Sequence, residues 1–297
     1  MHSRVRVPAS SANLGPGFDA LGLALGIYLE CEFRAASELS IRVTGRDAAR
    51  ISTGLDNLIW QTALAIAHEA GRTLDPIELE IRNDIPLGKG LGSSAAALTA
   101  GIVIADQFLG LGWDRGRVLH EAARFEGHPD NAAACVLGSI VASAVDTDGV
   151  ARAVRLPWPE RFGVAVVVPD FVLPTSEART VLPSWYSRED AVFNVQRSTL
   201  LVAALSAGDS GAFPAALEDR IHQPYRAHLV PGLEELAALK APGLLGCVLS
   251  GAGPSILIFF ERGHEEACDL ACDVLRKHQQ GFDMLRPSVA HEGYQLF

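Results

Sequence analysis

Three glycines at alternate positions, Gly88, Gly90 and Gly92, run into two serines and then an apolar stretch, in IPLGKGLGSSAAALTAG (residues 85–101). Glycines so closely spaced let the backbone turn its N–H groups inward, because no Cβ stands in the way. Ser93 and Ser94 are suited to cap the helix that begins there. Free N–H groups at a helix start, with the positive end of its dipole, make a site for an anion such as phosphate. Taken alone, the segment fits an ordinary capped helix after a flexible loop just as well. It fails the P-loop pattern, since Gly90 follows Lys89 where Ser or Thr is needed, and it fails the dinucleotide fingerprint, since Ser93 stands where glycine is required.

A chain of 297 residues has room for two domains. With 48% hydrophobic and 20% charged residues, its composition is that of a soluble globular protein. The net charge of −10 argues against a broad nucleic-acid surface, although a few local arginines can still bind a small anion. The start, MHSRVRVPAS, lacks the apolar core of a signal peptide. The longest apolar runs, near 95–105 and 163–168, are too short to span a bilayer. The expectation is a cytoplasmic protein with no membrane partner. Five cysteines, an odd number, give no disulfide framework. Cys268 and Cys272 lie one helical turn apart with His264 a turn earlier. Structural zinc sites usually draw on more than one element, so metal is not expected there.

Hydrophobic patterning predicts strands over 4–8, 21–33, 39–43, 77–81 and 139–145, and helices over 57–70, 92–109 and 114–125. A short helix follows EGHPDN (residues 126–131). Composition changes near Leu156, where Pro157 and Pro159 flank Trp158, and a domain boundary is placed there, giving domains 1–156 and 157–297. Beyond it, strands are expected over 164–168, 244–249, 256–261 and 285–289. Helices are expected over 190–207, 233–240 and 265–277. Strands and helices mix in both halves without regular βα alternation, which favours an α+β fold.

Phosphoryl transfer needs a phosphate cradle, a magnesium carboxylate and an acceptor held in line with the γ-phosphate. EGHPDN supplies Glu126 and Asp130. Magnesium takes one or two carboxylates and keeps several waters, so one glutamate plus a serine hydroxyl such as that of Ser94 is sufficient. Asn13 and Asp19 bracket Gly15-Pro16-Gly17, where on these residues alone Asx-turn chemistry is the better explanation of them. Arg179 and Arg226 sit in proline-bounded loops, PTSEARTVLP and HQPYRAHLVPG, and planar guanidinium groups suit a carboxylate.

PASSANLGPGFDALGLAL, IPLGKGLGSSAAALTAG, EGHPDNAAACVLGS and LSGAGPS, in that order, resemble the motifs of the GHMP kinase superfamily, and in their details those of its homoserine kinase family. The resemblance covers nearly the whole chain. It implies an N-terminal ATP-binding domain like ribosomal protein S5 domain 2 and a ferredoxin-like C-terminal domain. It also implies ATP-dependent phosphorylation of the L-homoserine hydroxyl, a step of threonine biosynthesis. Carried over position by position, Pro86, Leu87, Gly88, Lys89, Gly90, Leu91, Gly92, Ser93, Ser94, Ala95 and Ala96 form the ATP phosphate loop, with Asn57 near the adenine. Ser94 and Glu126 hold Mg²⁺. Asn13, Asp19, His128, Asp130 and Asn131 line the amino-acid pocket, with Glu126, Asp130 and Asn131 closest to the chemistry. Arg179 and Arg226 take the substrate carboxylate with Thr175 nearby, and Ser250, Gly251 and Gly253 close the site with backbone groups. The family pattern implies positioning of the acceptor without a dedicated base; if a base operates, it is Asp130 or His128. A mevalonate-type kinase of the same superfamily and a non-catalytic nucleotide sensor are the alternatives. The sequence does not give the oligomeric state; a homodimer is the commonest assembly on base rates.

Overall fold

The computed structural model describes residues 2–279 and 281–297. Strand β1 (His2–Ala12) pairs antiparallel with the long β2 (Leu21–Ala35), and its register shifts between Pro8 and Ala9. Pro8 has no N–H to offer the ladder, so the pairing passes it through an irregularity and resumes. The opening strand therefore runs on to Ala12 rather than ending at Pro8, and it delivers Ser10, Ser11 and Asn13 to the interior. Next come β3 (Ser40–Gly45), α1 (Leu58–Glu69) and β4 (Ile77–Asn83). Then follow α2 (Ser93–Leu109), α3 (Arg115–Glu126), α4 (Pro129–Leu137), β5 (Ile140–Val145) and β6 (Ala151–Leu156). β4 pairs with β2 and, in parallel, with β3, while β5 pairs with the start of β2 and carries β6. With two arginines and an exposed valine among its six residues, ARAVRL has too little apolar periodicity to mark β6 in the sequence.

The helices cover one face of this sheet. α2 buries residues all round, from Ala95 and Ala96 to Ile104 and Ala105, as a central helix must. Gly101 lets α1 approach it, since a Cβ there would lie 2.7 Å from Cβ of Thr62.

The second half is built on β7 (Phe162–Pro169), buried along its whole length. It continues through α5 (Thr175–Thr180), α6 (Arg188–Ala207), α7 (Phe213–Ala216), α8 (Gln223–Arg226) and α9 (Leu233–Ala237). β8 (Leu244–Leu249), β9 (Ile256–Glu261), α10 (Glu266–Arg276) and β10 (Phe282–Leu285) complete an antiparallel sheet of order β10-β7-β9-β8. This is the ferredoxin-like arrangement. The α+β expectation holds. The last strand of that sheet lies earlier than 285–289, because Pro287 cannot extend a ladder; Val289 only bridges to Leu25. The chain then returns to the first sheet, where β11 (Gln295–Leu296) pairs with β1. The helix expected over 233–240 ends at Ala237.

One apolar cluster joins the two sheets, running from Val5 and Leu23 to Phe162, Phe213 and Phe259. Trp158, in the link between β6 and β7, stacks on Phe259 at 6.3 Å and donates to the Phe162 carbonyl. All five cysteines are buried, and burial pushes the Cys268 thiol up to about 11 while His264 turns to Glu266. Among the described residues no helix is long and apolar enough to cross a membrane.

Candidate active site

Gly88, Gly90 and Gly92 all adopt the left-handed region, with φ of 69°, 77° and 67°. At Gly90 a Cβ would overlap the Ser250 carbonyl and lie 2.8 Å from that of Gly253. At Gly92 it would overlap Ser10 Oγ. Close approach as well as conformation therefore requires glycine. Gly92, not Ser93 or Ser94, is the N-cap of α2, and it makes no side-chain cap. The serines stand inside the first turn, and among the described residues no side chain caps the N–H groups there. That is the anion-receptive form of a helix terminus.

Ser94 Oγ donates to Glu126 Oε2 at 2.9 Å. Glu126 ends α3, Gly127 turns the chain at φ 86°, and His128 starts α4, with Pro129 at its first position. Burial holds the Glu126 carboxyl above the ordinary carboxylate range, although His128, Ser94 and Arg179 oppose it. Among the described residues its side chain hydrogen-bonds only to the serine hydroxyl. A half-buried carboxylate beside a hydroxyl, at the mouth of an uncapped helix, is a donor set of hard oxygens that fits a small divalent cation.

Asp130, buried in the first turn of α4, accepts through Oδ1 from His128 Nδ1 at 2.8 Å and the Asn131 backbone N–H at 2.7 Å. For His128, burial works against the imidazolium, but its bond to Asp130 and that residue's charge outweigh it, leaving the pKa above the ordinary histidine value. Asn131 Oδ1 accepts from Ser10 Oγ at 2.8 Å. Asp19, His128 and Asp130 bring one ligand atom each within 4.8 Å of one another.

The N-terminal loop turns through left-handed Asn13, Leu14, Gly15 and Asp19. Asn13 pins it, accepting from the Asp19 N–H at 3.0 Å and donating to the Gly251 carbonyl at 2.8 Å. Arg179, on α5, grips Asp19 with both terminal nitrogens, at 2.8 and 3.2 Å. Arg226 is 1% exposed, and desolvation first, then Arg179 nearby, lowers its pKa to about 10. Phe18 lies beneath both guanidinium groups, 5.6 Å from Arg179 and 5.4 Å from Arg226.

These groups line one cleft of about 160 Å³. Into it come Asn13, Asp19, Gly88, Gly90, Leu91, Gly92, Ser93, Ser94, Glu126, His128, Asp130, Asn131, Thr175, Arg179, Arg226 and Gly251. Other residues expected at the site do not line this cleft. Lys89 turns away, its ammonium on the Pro169 and Phe171 carbonyls at 2.6 and 2.7 Å. Asn57 caps α1, accepting from the N–H groups of Ile59 and Trp60. Ser250 donates to Gly90, and its neighbour Gly253 packs against that same glycine. Pro86, Leu87, Ala95 and Ala96 do not border the cleft. Sequence reasoning overlooked Ala12, Phe18, Leu173 and Pro174, which line it, and His222, behind Arg226. Phe18 sits inside the quoted GPGFDA motif and His222 inside HQPYR, so their neighbours were the available signal.

Residues 57–139 match the GHMP kinases N terminal domain, and residues 201–271 match the GHMP kinases C terminal domain. The homoserine kinase of Solibacter usitatus is 65% identical over 292 residues, covering 98% of this chain and 96% of that one. The homoserine kinase of Deinococcus radiodurans is 45% identical over 259 residues, 87% of this chain and 84% of its own. Among solved structures, a homoserine kinase from Cytophaga hutchinsonii superposes with a TM-score of 0.84 at 30% identity, covering 100% of this chain and 97% of that one.

Proposed function

The chain belongs to the homoserine kinase family of GHMP kinases, and from that premise we propose that it transfers the γ-phosphoryl group of ATP directly to the side-chain hydroxyl of L-homoserine. The observation that carries the reading is one cleft holding an uncapped glycine-rich helix start on one side and a paired acid–guanidinium cluster on the other. The first takes polyanionic phosphate and the second takes a zwitterion.

Ser94 and Glu126 are the residues that would hold Mg²⁺, which when bound neutralises charge on the phosphate oxygens. The N–H groups of the first turn of α2, with those of the glycine loop, receive phosphate oxygens and stabilise the charge spread over the transferring group. Lys89 serves this cradle indirectly, by tying the loop to the end of β7. Asp19 and Asn13 suit the substrate ammonium, and Arg179 and Arg226 its carboxylate. In the free enzyme Asp19 and Arg179 neutralise each other. A substrate bearing both charges can satisfy both partners, whereas an analogue lacking one charge leaves the other partner unpaired. Asp130 has one oxygen committed to His128 and Asn131, leaving Oδ2 to orient the acceptor hydroxyl. Since the transition state of such transfers is loose, orientation matters more than prior deprotonation. We assign nucleotide binding to residues 1–156 and closure of the site to 157–297, through the Ser250–Gly251 turn and the two arginines.

ADP release with L-homoserine, mevalonate and galactose as acceptors tests the assignment. Turnover is expected with homoserine; turnover on another alcohol with none on homoserine at millimolar concentration would refute it.

A further inference from the structure

Three of the five N–H groups of Arg226 are committed before a substrate enters. Nε donates to the Ala178 carbonyl at 2.9 Å, while Nη1 donates to the Gly251 carbonyl at 3.3 Å and to Nδ1 of His222 at 3.1 Å. Among the described residues that leaves Nη2 for the cleft. The guanidinium is a rigid planar fork, so holding Nε and Nη1 decides where Nη2 points. Two of the three anchors are backbone carbonyls. The third is an imidazole.

His222 can accept at Nδ1 only as the neutral tautomer with its proton on Nε2. Its surroundings select that form. Nε2 lies 2.7 Å from the Gly15 carbonyl, which can only accept. Asp219 Oδ2, 3.5 Å away, is the competing acceptor, but that carboxylate is already engaged by the N–H groups of Ile221, His222 and Gln223 and by the Asn194 amide. Burial of the ring disfavours the imidazolium and holds its pKa below the ordinary value. Phe18 stacks on the ring at 5.4 Å, 28° from parallel, which fixes its plane.

We propose that His222 is a positioning residue for carboxylate recognition: its Nδ1 sets the guanidinium of Arg226, and its Nε2–H ties that arginine to Gly15, in the loop that carries Asn13 and Asp19. The proposal rests on the reading of Arg226 as a carboxylate ligand. It couples the anion-binding and ammonium-binding halves of the pocket through one imidazole, across 207 positions of chain.

The measurement is the ratio of kcat/KM for L-homoserine to that for 3-aminopropan-1-ol, the same amino alcohol without its carboxylate. A merely structural defect lowers both terms alike. His222→Asn keeps an acceptor where Nδ1 stands; His222→Gln keeps a donor where Nε2 stands and loses the acceptor. The ratio is expected to stay within about threefold of wild type for Asn and to fall about tenfold or more for Gln, the scale of a lost hydrogen bond to a charged group. KM for ATP should remain within about twofold in both variants. Equal ratios in the two variants, or a fall in the Asn variant alone, would overturn the proposal. Arg226→Met separates the two claims: if it leaves the ratio unchanged, Arg226 does not read the carboxylate, and if it collapses the ratio while His222→Gln does not, only the positioning role fails. The ¹⁵N shifts of the His222 ring in the wild-type protein need no substitution at all. They should show Nε2 protonated and Nδ1 bare; the opposite tautomer or an imidazolium would refute the proposal even if the variants do not fold.

Discussion

Replacing Gly90 by alanine tests whether the two halves of the protein close on each other at the phosphate loop. Gly90 has φ of 77°, and a Cβ on it would strike the carbonyls of Ser250 and Gly253, both backbone atoms that no rotamer change can move. The left-handed conformation costs a non-glycine residue about 1–2 kcal/mol. Relieving the clash means separating the loops, and with them the bonds from Ser250 Oγ to Gly90 at 2.8 Å and from the Ser255 N–H to Lys89 at 3.2 Å. At about 1 kcal/mol each, these bring the destabilisation to about 3–4 kcal/mol. Chains of 150–250 residues lose about 2–4 °C of Tm per kcal/mol, and the lower end of that range gives a fall of about 6–8 °C here. Gly110→Ala is the control. Gly110 has φ of 60° with nothing near its would-be Cβ, at the opposite end of α2. It should lose only the conformational part, about 2–4 °C, with no change in KM for ATP. Gly90→Ala should raise KM for ATP as well. Equal melting shifts in the two variants, with unchanged KM for ATP in both, would show that the loops are not locked together as described.

Glu126→Gln should cut turnover about tenfold or more, equivalent to about 1.4 kcal/mol, yet melt above the parent at pH 8 in chelator. The half-buried carboxyl has a raised pKa, so the folded state loses stability as pH rises from the ordinary carboxylate range through that raised value, and an amide removes the cost. A rate unchanged by the substitution would remove Glu126 from the site. His128 is shifted up, so its pairing with Asp130 contributes fully below the ordinary histidine pKa and fades as pH rises through the raised one. Wild type should therefore lose more Tm between pH 6 and pH 9 than His128→Gln, and identical pH profiles would contradict this. Arg179→Ala should raise KM for homoserine about tenfold or more, as expected when a charged hydrogen-bond partner is lost, and leave KM for ATP alone; equal effects on both would indicate a folding defect. Lys89→Met should lower Tm by releasing the loop from Pro169 and Phe171, which equal melting curves would disprove.

Much of this site is readable in the sequence because its parts are local. The glycine spacing, the Glu126-to-Asn131 turn and the Asn13-to-Asp19 loop each act within a few residues, and all three reach the cleft. Direction is harder to read. Lys89 carries the natural charge for a phosphate loop, but backbone carbonyls 80 and 82 residues away claim it. Ser93 has the composition of a cap, yet close packing against Ser10 reserves the cap position for a residue without a Cβ. The His222 tautomer depends on Gly15, Asp219 and Arg226, which only the tertiary fold gathers. β6 and β11 lie at the sheet edge with little apolar periodicity, so pairing partners rather than their own residues make them strands.

The central claim is direct transfer between two substrates held in one cleft. Following the label from [γ-³²P]ATP in the presence of L-homoserine tests it most directly. The expected result is label on the homoserine side-chain oxygen, formed together with ADP and absent when homoserine is omitted. Label that stays on ATP, or leaves only as inorganic phosphate, at millimolar homoserine would contradict the account.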